Sequence, residues 1–410
     1  MGSEFLNLLS VDEVLRLFVR FRPVERTESV PLLQAVGRVA AEPVVAPEAL
    51  PTFPRALMDG YAVRAADVAS ARESAPVLLA VRGEVRMGEA AAVEVGPGQA
   101  VRVHTGAMLP AGADAVVMIE HTRPTGDAVE ISHAAAAHDH VLLPGEDLAR
   151  GIQMFPAGRR IAPLDVGALA ATGVTQVRVR ARPLVGILST GDELVDMTQV
   201  PGPGKVRDTN GPVLSVQVLM AGGTPVMLPR VADDVQALEQ AVQQARSRVD
   251  LLLISGGSSV GERDHTADVL ARMGPAGLLV HGIAIAPGKP TLLADIGGIP
   301  AFGLPGHPVS SFVVFAVVVA PLLRRLAGEA RAPLPRTRKV RLRANVVAMS
   351  GRETYVPVRL EEERGVLRAT PVLWNSAVFT SLLFCDGWVR IPAGREGYAE
   401  GDEAEVELLR

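Results

Sequence analysis

Between residues 180 and 330 short, almost unbroken apolar runs alternate with helical patterns, and this rhythm constrains the chain more than any other feature. PLVGILS, PVMLPRV, DLLLISG, LLVHGIAI and IPAFGLP read as strands, while 211–221, 234–247, 264–273 and 308–327 read as helices. Strands that lack polar alternation must be covered on both faces, which predicts a mostly parallel sheet between two helical layers. Ligands of such sheets bind beyond the carboxyl ends of the strands. Three of those ends carry polar, glycine-rich turns: STGDE at 189–193, SGGSSVG at 255–261 and LPGHP at 304–308. Since all three are expected on one edge, they read as one site.

The rest of the chain has other rhythms, and 410 residues exceed what one core ordinarily organises. Ser10 and Glu13 form a capping box ahead of Val11, Val14, Leu15, Phe18 and Val19 at helical spacing. A second short helix is expected from Pro31. Pro43, Pro47, Pro51 and Pro54 favour extended chain in their predecessors. From about 60 to 143 short strand candidates separated by Gly and Pro indicate a small β-rich module, and a helix is expected at Pro163–Ala171. RAPLPRT at 331–337 reads as a linker, and period-two alternation beyond it, as in EAEVEL at 403–408, predicts a closing β domain.

Composition excludes several functions. With 41 basic and 45 acidic residues the formal charge is −4, and only 10 Phe, 2 Trp and 3 Tyr are present. Neither counterion release nor base stacking has its usual basis, so no nucleic-acid partner is expected. The lone Cys385 rules out an intrachain disulfide and every CxxC motif. The longest apolar run, Phe312–Leu323, falls short of the roughly twenty residues of a membrane span and reads as a buried helix. MGSEF at the start lacks the features of a signal peptide, so the cytoplasm is the expected compartment, with no membrane partner.

Two motifs imitate familiar chemistry. GSSVG at 257–261 matches the nucleophile elbow of α/β-hydrolases and follows a strand, with Asp295 and His307 in the chain order of a triad around Ser259. However, ERDH follows at 262–265, where an elbow serine would open a well-packed helix. PGKP at 287–290 is not a P-loop, since five residues separate Gly282 from Gly288 and Pro290 follows Lys289. That lysine is still suited to contact a phosphate or oxyanion. His133, His138 and His140 form a loose cluster without a ligand pattern, which reads as a solvated loop.

Taken together the turns resemble the MoeA family, the molybdopterin molybdenumtransferases related to the gephyrin E domain. The resemblance rests on MDGYAVRAAD at 58, HTGAMLPAGADAVVM at 104, PGEDLARG at 144, GILSTGDEL at 186, VRDTNGPVL at 206, DLLLISGGSSVGERDHT at 250, PGKPTLLA at 287 and GLPGHPVSSF at 303. It implies a multidomain α/β plus β fold, in which the central domain of molybdopterin-binding type is 180–330. A β-rich domain at 49–143 is inserted into a discontinuous dimerisation domain formed by 1–48 and 144–179. Residues 331–410 form a small β-barrel-like domain.

The implied activity is the insertion of molybdate into adenylylated molybdopterin with release of AMP, assisted by Mg²⁺, in a homodimer. A molybdopterin adenylyltransferase-type protein and molybdoenzyme maturation partners would stand before and after it. The resemblance assigns catalytic roles to Asp59, Asp147 and Glu193, and Mg²⁺ binding to Asp233 and Asp264. Substrate contacts are assigned to Thr105, Asp208, Ser255, Gly256, Gly257, Ser259, Lys289, Pro305, Pro308 and Ser376. Clustered carboxylates would repel phosphate and molybdate unless a cation lies among them, and Mg²⁺ supplies one. The chain departs from the family at Pro54–Leu57, at Ala286 where a basic residue is common, at His307 where Asn or Tyr is usual, and at WNSA 374–377 in place of a Gly-Ser-Gly run. These departures leave room for a non-catalytic molybdopterin-binding scaffold, and tungstate is a second candidate oxyanion.

Overall fold

The computed structural model describes residues 8–256, 265–372 and 375–409. At its centre is a six-stranded sheet in the order Thr224–Met227, Leu184–Ser189, Leu251–Ser255, Pro300–Leu304, Leu292–Asp295, Gly277–His281. The first four strands run parallel, and Leu292–Asp295 runs antiparallel to both of its neighbours. The strand Leu292–Asp295 was absent from the sequence reading because LLAD is too short to show a period. Alternation across the pleat explains the coverage on both sides. Val185, Ile187, Leu251, Leu253 and Phe302 face the helices Asn210–Ala221 and Pro308–Leu326, whereas Leu188, Leu252, Ile254 and Ala301 face Val235–Ala245 and His265–Arg272.

The helix Pro308–Leu326 is long and apolar enough to cross a bilayer, yet 67% of its most apolar window is buried inside the protein. Pro321 has no N–H to donate within it, and the helix widens into a π turn at Phe315–Val319 just upstream.

A second six-stranded sheet occupies the region around 60–131, with apolar clusters on both faces. Its MDGYA motif needs glycine, since a Cβ at Gly60 would lie 1.9 Å from the carbonyl oxygen of Val117. Chain on either side of this sheet meets in a third cluster: Val30, Ala35 and Ala40 pack with Phe155, Ile161, Leu169, Val177 and Val179. The helix Pro163–Ala171 forms as its spacing predicts. The helix expected from Pro31 does not form. Thr27–Pro31 pairs instead with Gln176–Arg180, and a single 3-10 turn follows at Leu32–Gln34. The capped helix Val11–Leu17 packs elsewhere than its sequence neighbours, because Val11, Val14, Phe18 and Phe21 enter the central core.

Beyond residue 336, Glu353–Glu363, Val366–Pro371, Thr337–Leu342, Glu403–Leu408 and Gly387–Ile391 close into a five-stranded barrel. Two features fasten it to the central domain. The strand Ile285–Ala286 pairs in parallel with Glu353–Thr354. Tyr355 and Trp388 enter the central core, with the Trp388 ring edge-on to Phe312 and Tyr355 and its indole N–H donating to Glu407 at 3.0 Å. Trp388→Ala is expected to lower stability by about 3–5 kcal/mol, and Trp388→Phe by less, because the larger truncation leaves a cavity at the docking face. The shift in denaturation midpoint measures both.

Candidate active site

The polar turns do converge, and two buried side chains hold them together. Ser189, which ends the first sheet strand, donates its hydroxyl to Asp208 Oδ2 at 2.6 Å, and the N–H of Gly211 donates to Asp208 Oδ1 at 3.0 Å. Both carboxylate oxygens of Asp208 are thereby engaged in fixing the start of the helix Asn210–Ala221. Asn210, only 9% exposed, directs its amide N–H groups to Ser255 Oγ at 2.8 Å and to the carbonyl of Gly306 at 2.9 Å. Backbone bonds from Thr190 to Ser255 and from Gly256 to Leu304 complete the clamp. Gly256 has φ +107°, and a Cβ there would lie 2.1 Å from the carbonyl oxygen of Thr190.

Above this clamp opens a cavity of about 360 Å³, lined by Glu193, Asp208, Asn210, Ser255, Gly256, His307 and Pro308 among others. The Glu193 carboxylate faces it without a hydrogen-bonding partner among the described residues. A larger cavity of about 680 Å³ lies between the central domain and the barrel, lined by Lys289, Pro305, Ser310, Arg352 and Ser376. Lys289 is carried there by a tight turn: Gly288 has φ +122°, and its carbonyl accepts from the Thr291 hydroxyl at 2.7 Å. A Cβ on Gly288 would lie 2.3 Å from Val314 Cγ2, so the PGKP turn admits no larger residue without rearrangement. His307 lines both cavities, and its Nδ1 lies 2.8 Å from Ser376 Oγ.

Other sequence-predicted residues lie apart. Asp59 and Thr105 meet in the second sheet, where the Thr105 N–H and hydroxyl donate to Asp59 Oδ1 at 2.7 and 3.0 Å. Those two bonds, followed by the charges of His104 and Arg102, hold the Asp59 carboxyl below the usual carboxylate range. Asp147 is exposed on a turn whose backbone bonds to Leu50. Neither these three residues nor Asp233 line the two cavities. The N–H of Asp233 donates to Asp192, beside Glu193. Gly257, Ser259 and Asp264 lie outside the described residues, so the elbow reading of GSSVG has no geometry to stand on. Among the described residues no group of three or more metal-ligating side chains converges. His133 stacks on His121 at 3.8 Å between ring centroids.

Sequence reasoning missed Asn210 and Arg352. The first sits inside the quoted VRDTNGP run, where its position two residues after Asp208 was the available signal. The second had none, because its approach to Lys289 depends on how the barrel docks. Arg352 supplies a second cation to the larger cavity, in which Ala286 contributes no charge.

Gly256→Ala forces a backbone shift at the clamp and is expected to cost about 1–3 kcal/mol, read as a lowered thermal midpoint. Thr105→Val removes one of the two bonds to Asp59 and should raise its carboxyl pKa toward the ordinary range, measurable by NMR titration. A depressed carboxylate stabilises the fold above about pH 4, so the stability gap between wild type and Thr105→Val is full there. It narrows as pH falls through the depressed value.

Models of known families match the chain in three consecutive segments. The MoeA N-terminal region (domain I and II) matches residues 9–173, a probable molybdopterin binding domain matches 186–325, and the MoeA C-terminal region (domain IV) matches 339–409. A Bacillus subtilis protein named molybdopterin molybdenumtransferase is 33% identical over 408 residues, covering 98% of this chain and 94% of its own. A Nostoc protein of the same name is 36% identical over 346 residues, covering 84% and 79%. The solved molybdopterin biosynthesis MoeA protein of Pyrococcus horikoshii OT3 superposes with a TM-score of 0.85 at 32% identity, covering 98% of this chain and all of that one. With near full-length similarity to proteins of one kind in both sequence and structure, this chain belongs to the MoeA family.

Proposed function

We propose that the protein is a molybdenum insertase, which places molybdate into adenylylated molybdopterin and releases AMP. The full-length similarity to proteins named molybdopterin molybdenumtransferase carries this reading. The scaffold alternative is not favoured by those names, and the serine-hydrolase reading has no supporting observation.

The two cavities suit the two substrates. The smaller one stands at the carboxyl ends of parallel strands, where backbone N–H groups and helix starts favour a phosphate-bearing ligand. The larger one offers Lys289 and Arg352 to a tetrahedral dianion, with Ser310 and Ser376 as hydroxyl partners. Molybdate is the substrate proposed, and tungstate would meet the same charges and hydroxyls.

Mg²⁺ fits these residues in a restricted sense. The ion commonly binds through one or two carboxylates and completes its shell with water and phosphate oxygens, so a cage of three acids is not required. Glu193 would hold it, with Asp233 beside the same loop, and the ion would polarise the phosphoanhydride as a Lewis acid. Within one chain Asp59, Thr105 and Asp147 stand outside both cavities, and we propose that a second copy brings them in. The exposed apolar residues Val216, Leu219 and Met220 on the helix Asn210–Ala221 favour such a homodimer. The single, buried Cys385 agrees with a cytoplasmic setting. An adenylylating enzyme upstream and molybdoenzyme maturation factors downstream are the partners this reaction calls for.

The test is incubation with adenylylated molybdopterin, Mg²⁺ and molybdate, with tungstate in a parallel arm. One AMP should appear per cofactor formed, the cofactor should reconstitute an apo-molybdoenzyme, and Glu193→Gln should slow AMP release by roughly a hundredfold or more. Tight substrate binding without AMP release, unaffected by Glu193→Gln, would defeat the reading in favour of a scaffold.

A further inference from the structure

Away from both cavities, three arginines meet where the chain leaves the strand Gln176–Arg180 and enters the central sheet at Leu184. Arg182 stands in that crossing, half-buried, and makes no hydrogen bond or ion pair among the described residues. A closed circuit of bonds surrounds it. Arg38, 9% exposed, donates to the carbonyl of Arg180 at 2.9 Å. Arg160 donates to the carbonyl of Gly37, next to Arg38, at 2.7 Å and to that of Ala221 at 3.3 Å. Just beyond Ala221 the N–H of Thr224 donates to the carbonyl of Pro183 at 2.8 Å, which returns the circuit to Arg182.

The acids beside these arginines are taken. Glu28 pairs with Arg38, and Glu329, whose side chain is 6% exposed, pairs with Arg160 at 2.9 Å. Burial first, then the charges of Arg38 and Arg160, hold the Arg182 guanidinium below its ordinary range, and Glu28 opposes them less. Three guanidiniums thus face two carboxylates, and the unmatched charge falls on Arg182. Arginine keeps its proton at physiological pH, so it cannot relieve the repulsion by neutralising itself. A partly buried charge without a partner is costly, and a bound anion removes that cost.

We propose that Arg38, Arg160 and Arg182 form a second oxyanion site, which takes a small free tetrahedral anion such as phosphate, sulfate or molybdate. Guanidinium forks match pairs of oxyanion oxygens, and forks from three separate segments suit the several faces of a tetrahedron. Arg182 supplies the uncommitted fork. Arg38 and Arg160, fixed by their own bonds, supply the surrounding positive field. The ion bridges the segments that hold Arg38 and Arg160 to the crossing before the central sheet, so its binding stabilises that junction. The site is independent of the insertase reading, since none of the three arginines lines either cavity.

Equilibrium dialysis of labelled phosphate against the full chain tests this, in chloride buffer at constant ionic strength. Lys289→Gln and Arg352→Gln are both present in the parent protein, so that the larger cavity contributes neither of these cations. One phosphate per chain should bind with a dissociation constant below about 1 mM, and sulfate and molybdate should displace it. Arg182→Gln should weaken binding by about tenfold or more, and Arg182→Lys, which keeps the charge without the fork, by less. Low-millimolar phosphate should raise the thermal midpoint of the parent and leave that of Arg182→Gln unchanged. No saturable binding in the millimolar range, or binding indifferent to Arg182→Gln, overturns the site. Phosphate affinity that falls as the chain associates overturns it too, since an acid of a second copy then holds the arginines.

Discussion

The clamp formed by Asp208 and Asn210 is the constraint on which the site depends. Strand ends in a parallel sheet diverge with the sheet's twist, so the turns that follow them need links beyond the sheet's own ladder. Here Asp208 joins the end of Leu184–Ser189 to the start of the helix Asn210–Ala221, and Asn210 spans from there to Ser255 at the end of Leu251–Ser255 and to Gly306 after Pro300–Leu304. Ser189, Asp208, Asn210 and Ser255 are buried, and an unmet polar group among them would cost about 1–3 kcal/mol. Glu193 and His307 can then stand in fixed positions without bonds to the clamp itself.

The central sheet and the edge where its polar turns meet were legible because apolar runs, helical spacing and glycine turns are local signals. Each records a property of its own residues, such as the pleat alternation of Leu251–Ile254 or the left-handed backbone at Gly256. The strand Leu292–Asp295 was not legible, since its antiparallel place arises from pairing with Pro300–Leu304. The helix expected from Pro31 failed for a related reason: a partner strand 145 or more residues away, Gln176–Arg180, claims Thr27–Pro31. Arg352 was hidden because its place in the larger cavity is a consequence of docking. Nothing near residue 352 in the chain announces that it lines the same cavity as Lys289.

Electrostatics shows the same division between local and assembled properties. A chain of formal charge −4 looks unsuited to dianions. Yet charge acts over about 10 Å at ordinary ionic strength, so the cavity matters more than the total. Lys289 and Arg352 share one cavity while Glu193, Asp208 and Arg207 line the neighbouring one, and both oxygens of Asp208 are already engaged in hydrogen bonds. The site therefore has a basic side and a side of mixed charge next to each other. A polyanion finds no continuous basic track there, whereas one small dianion and one metal-paired phosphate can be held close together.

The boundary between those two cavities is also where mechanics and chemistry meet. Its two halves belong to the central domain and the barrel, and their relative position follows from the Ile285–Ala286 strand addition and the insertion of Tyr355 and Trp388 into the core. The PGKP turn continues directly from that added strand, so the pairing that docks the barrel also aims Lys289. Catalytic placement is needed to within fractions of an ångström, and sites on rigid elements meet that demand better than sites on free loops. A loop-borne lysine and a loop-borne serine would not satisfy it alone. Anchored on one side by a β pair and on the other by the His307–Ser376 and Val309–Ser376 bonds, they become parts of one rigid surface. Substitutions at Trp388, which lines neither of the two cavities, should therefore act on the reaction through geometry.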